Sequence, residues 1–226
     1  MKYVFILFIA AILLTCSNQE KNFNLSGSIK GLKKGTVYLE VFNDSNFITV
    51  DSFKVYNSPD FKLNCNLEYP NLLRLRLNKN KKVQYTSDFF STNGETFLNT
   101  SLKNFNKDIV ITGSEQTKLY QVYQEMIRSF NSKNLDLIVE GFNAQKSNDT
   151  ILANEISKKQ QGLLKRKILF ALNFGVNHND SEVAPFIAVT DLPEVKSPLI
   201  DSLYNNLTAR IKDSYYGKKL KKQLSK

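Results

Sequence analysis

Cys16, Cys65 and His178 are the only thiols and the only imidazole in a chain of 226 residues. So small a stock excludes a multi-ligand Cys/His zinc site. No CxxC occurs, which excludes a dithiol redox pair. Cys65 alternates with lysine and asparagine in step with Phe61, Leu63 and Leu67, so it reads as a small buried hydrophobe. A reactive thiol needs an electropositive, exposed setting, which that alternation opposes. His178 stands among Asn177, Asn179 and Asp180. Helix capping already accounts for Asp180 and Ser181, so no metal ligand is assigned. Glu68, Asp88 and Asp108 are scattered and read as solvated carboxylates. No serine has a nucleophile-elbow context and no glycine-rich phosphate loop is present. The residue types therefore assign no catalytic, cofactor-binding or metal position, and the expectation is a protein that is not an enzyme.

Cys16 carries the one chemistry with a clear setting. Met1-Lys2 is a short basic region, and Tyr3 to Leu14 is continuously apolar. That run is shorter than the ~20 residues of a bilayer-spanning helix and has signal-peptide architecture. Its ending, Leu13-Leu14-Thr15-Cys16, resembles the bacterial lipobox. The resemblance implies cleavage after Thr15, a diacylglycerol thioether on Cys16 and acylation of the new amino terminus. Several acyl chains on one residue hold a protein at a membrane where one chain binds marginally. Residues 1–15 are then a signal peptide and 16–22 a polar lipidated tether. No aspartate follows Cys16, and by analogy with enteric lipoproteins this favours the outer membrane, facing the periplasm.

The formal charge is +10. Removing residues 1–15 takes away only Lys2 and leaves +9. Residues 215–226 hold Lys218, Lys219, Lys221, Lys222 and Lys226 without an acid, so five of those charges lie in a basic C-terminal tail. Export argues against nucleic acid as its partner. The tail is expected either to meet anionic headgroups or to be a frayed, solvated end.

The elements that must position these residues fall into two halves. From Phe23 the apolar period is two. Runs at Phe23–Ile29, Thr36–Phe42, Phe47–Val55, Phe61–Leu67, Leu73–Leu77, Val83–Phe90, Thr96–Leu102 and Ile109–Thr112 are separated by turn residues such as Gly31, Asn43-Asp44, Asn57-Ser58-Pro59 and Asn93-Gly94. Eight short strands with close turns predict an antiparallel sandwich or open barrel over 23–113. After Ser114, an N-cap, the period becomes helical, with Leu119, Val122, Tyr123, Met126, Ile127 and Phe130 on one face. Asn131 to Asn134 predict an interruption and Leu135 to Ala144 a shorter helix. Further helices are expected after Asp149 (Leu152, Ile156, Leu163, Phe170, Phe174), from Glu182 to about Thr190, and from Pro198 (Leu199, Leu203, Leu207, Ile211). The fold class is thus α+β, with a helical region over 114–226.

Leu25-Ser-Gly-Ser-Ile-Lys-Gly-Leu-Lys-Lys-Gly-Thr-Val-Tyr-Leu39, Asp51-Ser52, Phe61, Glu68-Tyr-Pro70 and Ile111-Thr-Gly-Ser114 resemble the domain of unknown function found in Bacteroidetes lipoproteins ahead of a thioredoxin-like thiol–disulfide oxidoreductase domain. Asn173, the Ser181-capped helix and Ser214-Tyr-Tyr-Gly-Lys218 look like the stretch that leads to the thioredoxin domain. The chain departs from that pattern in two places. The sequence reaches Lys226 where the resemblance leads one to expect the thioredoxin domain, and no CxxC occurs in it, so none of the family's redox chemistry carries over to a residue here. Ser91-Thr92 stands where an acidic residue is expected.

Asp149-Thr150-Ile151 and Asp201-Ser202-Leu203 resemble the short acceptor motif of Bacteroidetes periplasmic O-glycosylation. The resemblance implies Thr150, placed in a loop, as the better candidate, since Ser202 falls inside a predicted helix. The expected function is a lipid-anchored envelope protein that acts as a non-catalytic interaction or scaffold module. The alternatives are an accessory that docks a separate thioredoxin-fold oxidoreductase, and a small-ligand binder with a site between sheet and helices.

Overall fold

The computed structural model describes residues 21–80, 83–192 and 198–225; Cys16 lies outside them. All eight expected strands are present: β1 (Phe23–Lys30), β2 (Lys34–Asn43), β3 (Asn46–Tyr56), β4 (Asp60–Cys65), β5 (Asn71–Asn80), β6 (Val83–Ser91), β7 (Gly94–Ser101) and β8 (Val110–Thr112). They form two four-stranded sheets, ordered β4-β1-β7-β8 and β3-β2-β5-β6, neither closed into a barrel. The period-two patterning explains their packing. Along β4, Phe61, Leu63 and Cys65 point inward while Lys62 and Asn64 face water. Along β5, Leu73, Leu75 and Leu77 are fully buried. The inward residues of both sheets make one core that includes Phe23, Leu25, Val37, Leu39, Phe89 and Leu98.

The first sheet is mixed rather than wholly antiparallel. β1 and β7 run parallel, from Phe23 opposite Gly94 to Lys30 opposite Ser101. They are joined through the whole of the second sheet, not by a hairpin, so nothing forces them to oppose. Gly27 lies at the centre of β1, where a Cβ would stand 2.0 Å from the Leu98 carbonyl oxygen and 2.7 Å from the Phe61 ring. Only glycine permits that approach.

The helices are α1 (Glu115–Lys146), α2 (Thr150–Asn177), α3 (Val183–Asp191), α4 (Pro198–Asn206), α5 (Ala209–Lys212) and α6 (Tyr215–Leu224). Ser114 caps α1 by accepting from the Thr117 backbone N–H, and Asp149 caps α2 by accepting from that of Leu152. The predicted break at 131–134 does not occur, because α1 is one 32-residue helix. Asparagine lowers helix propensity by only a fraction of 1 kcal/mol, and here Asn131 also accepts a hydrogen bond from Lys167 of α2 at 3.0 Å. Gly162 does not interrupt α2 either, although a Cβ there would meet open space.

α1 and α2 form an antiparallel hairpin. Tyr120, Tyr123, Ile127, Phe130, Asn134, Leu137, Gly141 and Ala144 alternate spacings of three and four. Ala153, Ile156, Gln160, Leu163, Lys167, Phe170 and Phe174 do the same on α2, which is the seam pattern of paired helices. Val122 and Met126, expected on the buried face, are half exposed because the seam runs through Tyr120 instead. A second core gathers this hairpin's base with α3, α4 and α6. Phe90 of β6 belongs to it, with its ring 4.8 Å from Phe186, 5.8 Å from Tyr120 and 6.3 Å from Tyr216. That aromatic cluster fills the space between sheet and helices.

Candidate functional site

The outer part of the hairpin is the feature that packing among the described residues does not explain. At 1.5 Å per residue α1 is about 48 Å long. It packs on β6, β8, α3 and α2. Tyr120, Tyr123 and Ile127 of its first half join the core with Phe90 and α3, whereas Asn131 and Gly141 of its second half meet Lys167 and Ile156 of α2. There Leu135, Ile138, Val139 and Phe142 follow the spacing i, i+3, i+4, i+7 and so lie along one stripe. Their exposures are 60%, 49%, 53% and 66%. The seam residues Leu137, Gly141 and Ala144 occupy a different side of the helix, against α2, where a Cβ on Gly141 would touch Ile156 at 3.4 Å. A groove beside the stripe is lined by Asn131, Asn134, Gln160, Gln161 and Leu164, with Lys167 engaged by Asn131. The opposite groove is lined by Lys133, Asp136, Lys158, Lys159 and Arg166. One flank is therefore apolar and amide-lined, and the other is charged. The arrangement can bind an apolar surface.

The expected site residues are dispersed. Cys65 is 3% exposed, and burial, reinforced by Asp51, pushes its thiol up to about 11. A thiol so shifted stays protonated and unreactive at neutral pH. His178 ends α2, with Nδ1 2.8 Å from the Phe174 carbonyl oxygen and its ring 4.3 Å from the Phe174 ring. The Asp180 carbonyl accepts from Arg210. Among the described residues no group of three metal-ligating side chains assembles. Asp88 pairs with Arg74 at 2.6 Å, Asp108 accepts from Ser101, and Glu68 is exposed. Thr150 is exposed as the first residue of α2, at the hairpin tip rather than inside a loop, and Ser202 is exposed within α4.

Ser91, where an acid was expected, belongs to a chain of hydroxyls. Its Oγ is 3.1 Å from Thr96 Oγ1 and accepts from Thr117 Oγ1 at 3.4 Å, and Thr117 is 3.1 Å from Ser114 Oγ. This buried network ties the start of α1 to the sandwich. The basic tail is not a frayed end: residues 215–224 form α6, with Tyr216 and Leu220 buried. Tyr216 donates to Asn71 Oδ1 at 2.6 Å, and burial raises its hydroxyl far above the usual tyrosine value. Lys219 pairs with Asp44, and that hydrogen bond holds the Asp44 carboxyl below its ordinary range. Glu182, at the start of α3, is 8% exposed. Burial raises its carboxyl, while Ser214 and Arg210 oppose the shift. Its Oε2 is buried without a hydrogen bond.

Sequence reasoning placed Leu135 to Ala144 in a helix but missed the exposed stripe. Its spacing was the available signal, yet spacing shows that a helix has an apolar face without showing what covers it.

Residues 23–120 match the family described as a domain of unknown function (DUF4369). The matched span takes in all eight strands and ends at Tyr120, just past the part of α1 that the hydroxyl network ties down. No curated protein matches the chain. Among the described residues no helix is long and apolar enough to cross a membrane.

Proposed function

We propose, from the premise that residues 23–120 are a domain of that family, that this protein is a lipid-anchored envelope lipoprotein and a non-catalytic interaction module. The sandwich and helical core are the platform, and the outer hairpin is the arm that engages a protein partner. The carrying observation is the stripe of Leu135, Ile138, Val139 and Phe142, left open on a helix whose base buries Tyr120, Tyr123 and Ile127. Large contiguous apolar patches on the surface of a soluble domain mark interaction sites. The buried, protonated Cys65 supports a non-redox role.

The reading has separate tests for its two parts. Replacing Cys16 by Ala should move the protein from the membrane to the soluble fraction; retention with membranes sinks the lipoprotein assignment. For the arm, a photo-crosslinking residue at Gln145, exposed near the tip, should trap a defined partner in intact envelopes. Serine at Ile138 and Val139 should abolish that product. An unchanged product would remove the arm from the proposal. Recovery of a thioredoxin-fold protein by this route would specify the module as a docking accessory for thiol–disulfide exchange.

Thr150 is the proposed acceptor for O-glycosylation, being exposed and flanked by Asp149 and Ile151. Native expression should add glycan mass that Thr150→Ala eliminates. An unshifted intact mass disposes of the site.

A further inference from the structure

A short relay of contacts joins the root of the tether to the cationic helix. Asn22 clamps the connection between β4 and β5: its Nδ2 donates to the Leu67 carbonyl at 2.8 Å and its Oδ1 accepts from the Leu67 N–H at 2.8 Å. Two residues further, the Tyr69 ring stacks on Tyr215 with centroids 3.7 Å apart and planes 7° from parallel. Tyr215 is the first residue of α6. The contacts thus run without a gap from the point where the chain enters the fold to the helix that carries the lysines.

α6 divides its residues cleanly. Tyr216, Gly217 and Leu220 face the core, with a Cβ on Gly217 only 1.9 Å from the Ile211 carbonyl oxygen. Lys218, Lys221 and Lys222 are exposed. Lys219 is spent on Asp44. Lys21, at the tether root, is exposed as well. The acids nearby are the paired Asp44, the buried Glu182 beside Ser214 and Arg210, and the exposed Glu68 and Asp213, against the exposed Lys218, Lys221, Lys222 and Lys21.

We propose that Lys218, Lys221 and Lys222, with Lys21, form a docking face for the anionic headgroups of a lipid surface. The proposal rests on the lipoprotein reading for its geometry. Cys16 and Lys21 are five residue steps apart, and a fully extended chain of that length reaches at most about 18 Å. A lipidated Cys16 therefore holds the entry point of the fold near the bilayer, and with α6 joined to that point through Leu67, Tyr69 and Tyr215 its weak charge contacts become effectively intramolecular. The chemistry of the face favours a surface over a discrete ligand. Lysines are hydrated point charges without the planar fork by which arginine grips a single phosphate. They stand on the convex side of a helix, where no concavity would enclose a small anion. A diffuse sheet of negative charge needs neither fork nor pocket, and each lysine close to it strengthens association about five-fold.

The test uses the unlipidated chain beginning at Ser17, which keeps every described residue, so its outcome is independent of whether Cys16 is acylated. Sedimentation is measured with vesicles of phosphatidylcholine alone and with phosphatidylglycerol added. The chain should bind the anionic vesicles, ignore the neutral ones and detach as salt rises. Gln at Lys218, Lys221 and Lys222 together should weaken binding on the order of 100-fold, with thermal unfolding unchanged. If that variant does not fold, Lys222→Glu alone should still weaken binding several-fold. No binding to anionic vesicles, equal binding by the variants, or equal binding to neutral vesicles overturns the proposal. Loss of binding on adding inorganic phosphate at constant ionic strength also overturns it, by revealing a small-anion site. Failure in any of these ways leaves the Cys16 fractionation result standing on its own.

Discussion

The same two helices behave differently at their two ends. At the base of the hairpin, Tyr120, Tyr123, Ile127, Ala171 and Phe174 are buried against α3 and the sheet. In the outer part, Ala144, Ile156 and Leu163 are buried within the seam, while four large apolar side chains on one stripe of α1 remain open. Both ends carry the seam pattern, so helix pairing accounts for both. What differs is the third layer: the base receives β6, β8, α3 and α4, whereas among the described residues the outer stripe of α1 stays 49–66% exposed. Burial of apolar area is the main favourable term in folding. A chain that leaves this stripe uncovered forgoes that stabilisation unless a partner supplies it. This contrast separates the residues that hold the molecule together from those offered outward.

The largest effect should come from breaking the base. Phe90 is fully buried and touches Tyr120, Phe186 and Tyr216 across the junction. Phe90→Ala should cost about 3–5 kcal/mol through lost transfer energy and the cavity left behind. Urea unfolding followed by near-ultraviolet circular dichroism should show the loss, together with weakened coupling between sandwich and helices. A change below ~1 kcal/mol would mean that the junction is not a core.

Tyr123→Phe tests the same region more finely. The phenol donates to Asp191 Oδ2 at 2.7 Å, and burial pushes the hydroxyl pKa well up. Removing the donor leaves the ring packing and should cost about 1.5–3 kcal/mol, the range for hydrogen bonds to charged groups. Asp191 itself is exposed, so water will replace part of that loss and the low end is expected.

Much of the sandwich was legible because its signal is local. In β4, alternation alone assigns Phe61, Leu63 and Cys65 to the core side. The parallel pairing of β1 with β7 was not legible, since it is set by how the second sheet returns the chain and not by either strand's pattern. In the helical half, Ser114 and Asp149 marked their helices as N-caps should. Asn131 misled, because its preference for ending helices is small beside the bond it forms with Lys167. The basic run 215–226 concealed α6, whose buried side rests on only Tyr216, Gly217 and Leu220. Three positions among so many lysines give little periodicity to read. The arm lay within residues correctly expected to be helical, though in a separate short helix and not as part of α1, and its exposure is a tertiary property that the sequence does not encode locally.

Glu182 gives the comparison a pH axis. Desolvation raises its carboxyl in the folded chain above the ordinary value of 4.5. The folded state then holds its proton more tightly than the unfolded state. Stability from this group is present below the unfolded pKa and is lost as pH rises through the folded pKa. Glu182→Gln should remove that decline, making the variant relatively more stable at neutral pH than at pH 4. Urea midpoints measured across that range check the sign; a wild-type stability that rises through the same window faster than the variant's would contradict it.

The smallest effect on stability is expected where the functional effect should be greatest. Ile138 and Val139 are about half exposed and do not contribute to the seam. Ile138→Ser with Val139→Ser should leave the urea midpoint within the range of ordinary surface changes, about 0.5 kcal/mol per site, with a small further loss from helix propensity. Ile156→Ser, one layer away and 1% exposed, should cost several times more by placing a hydroxyl in an apolar seam. The two variants bracket the distinction between cohesion and display on a single hairpin. If the exposed pair destabilises the fold as much as Ile156→Ser, the stripe is a covered core surface and the arm loses its basis as a docking element. If the fold is indifferent and partner crosslinking from the tip disappears, the outer hairpin works outside the chain, as the missing third layer implies.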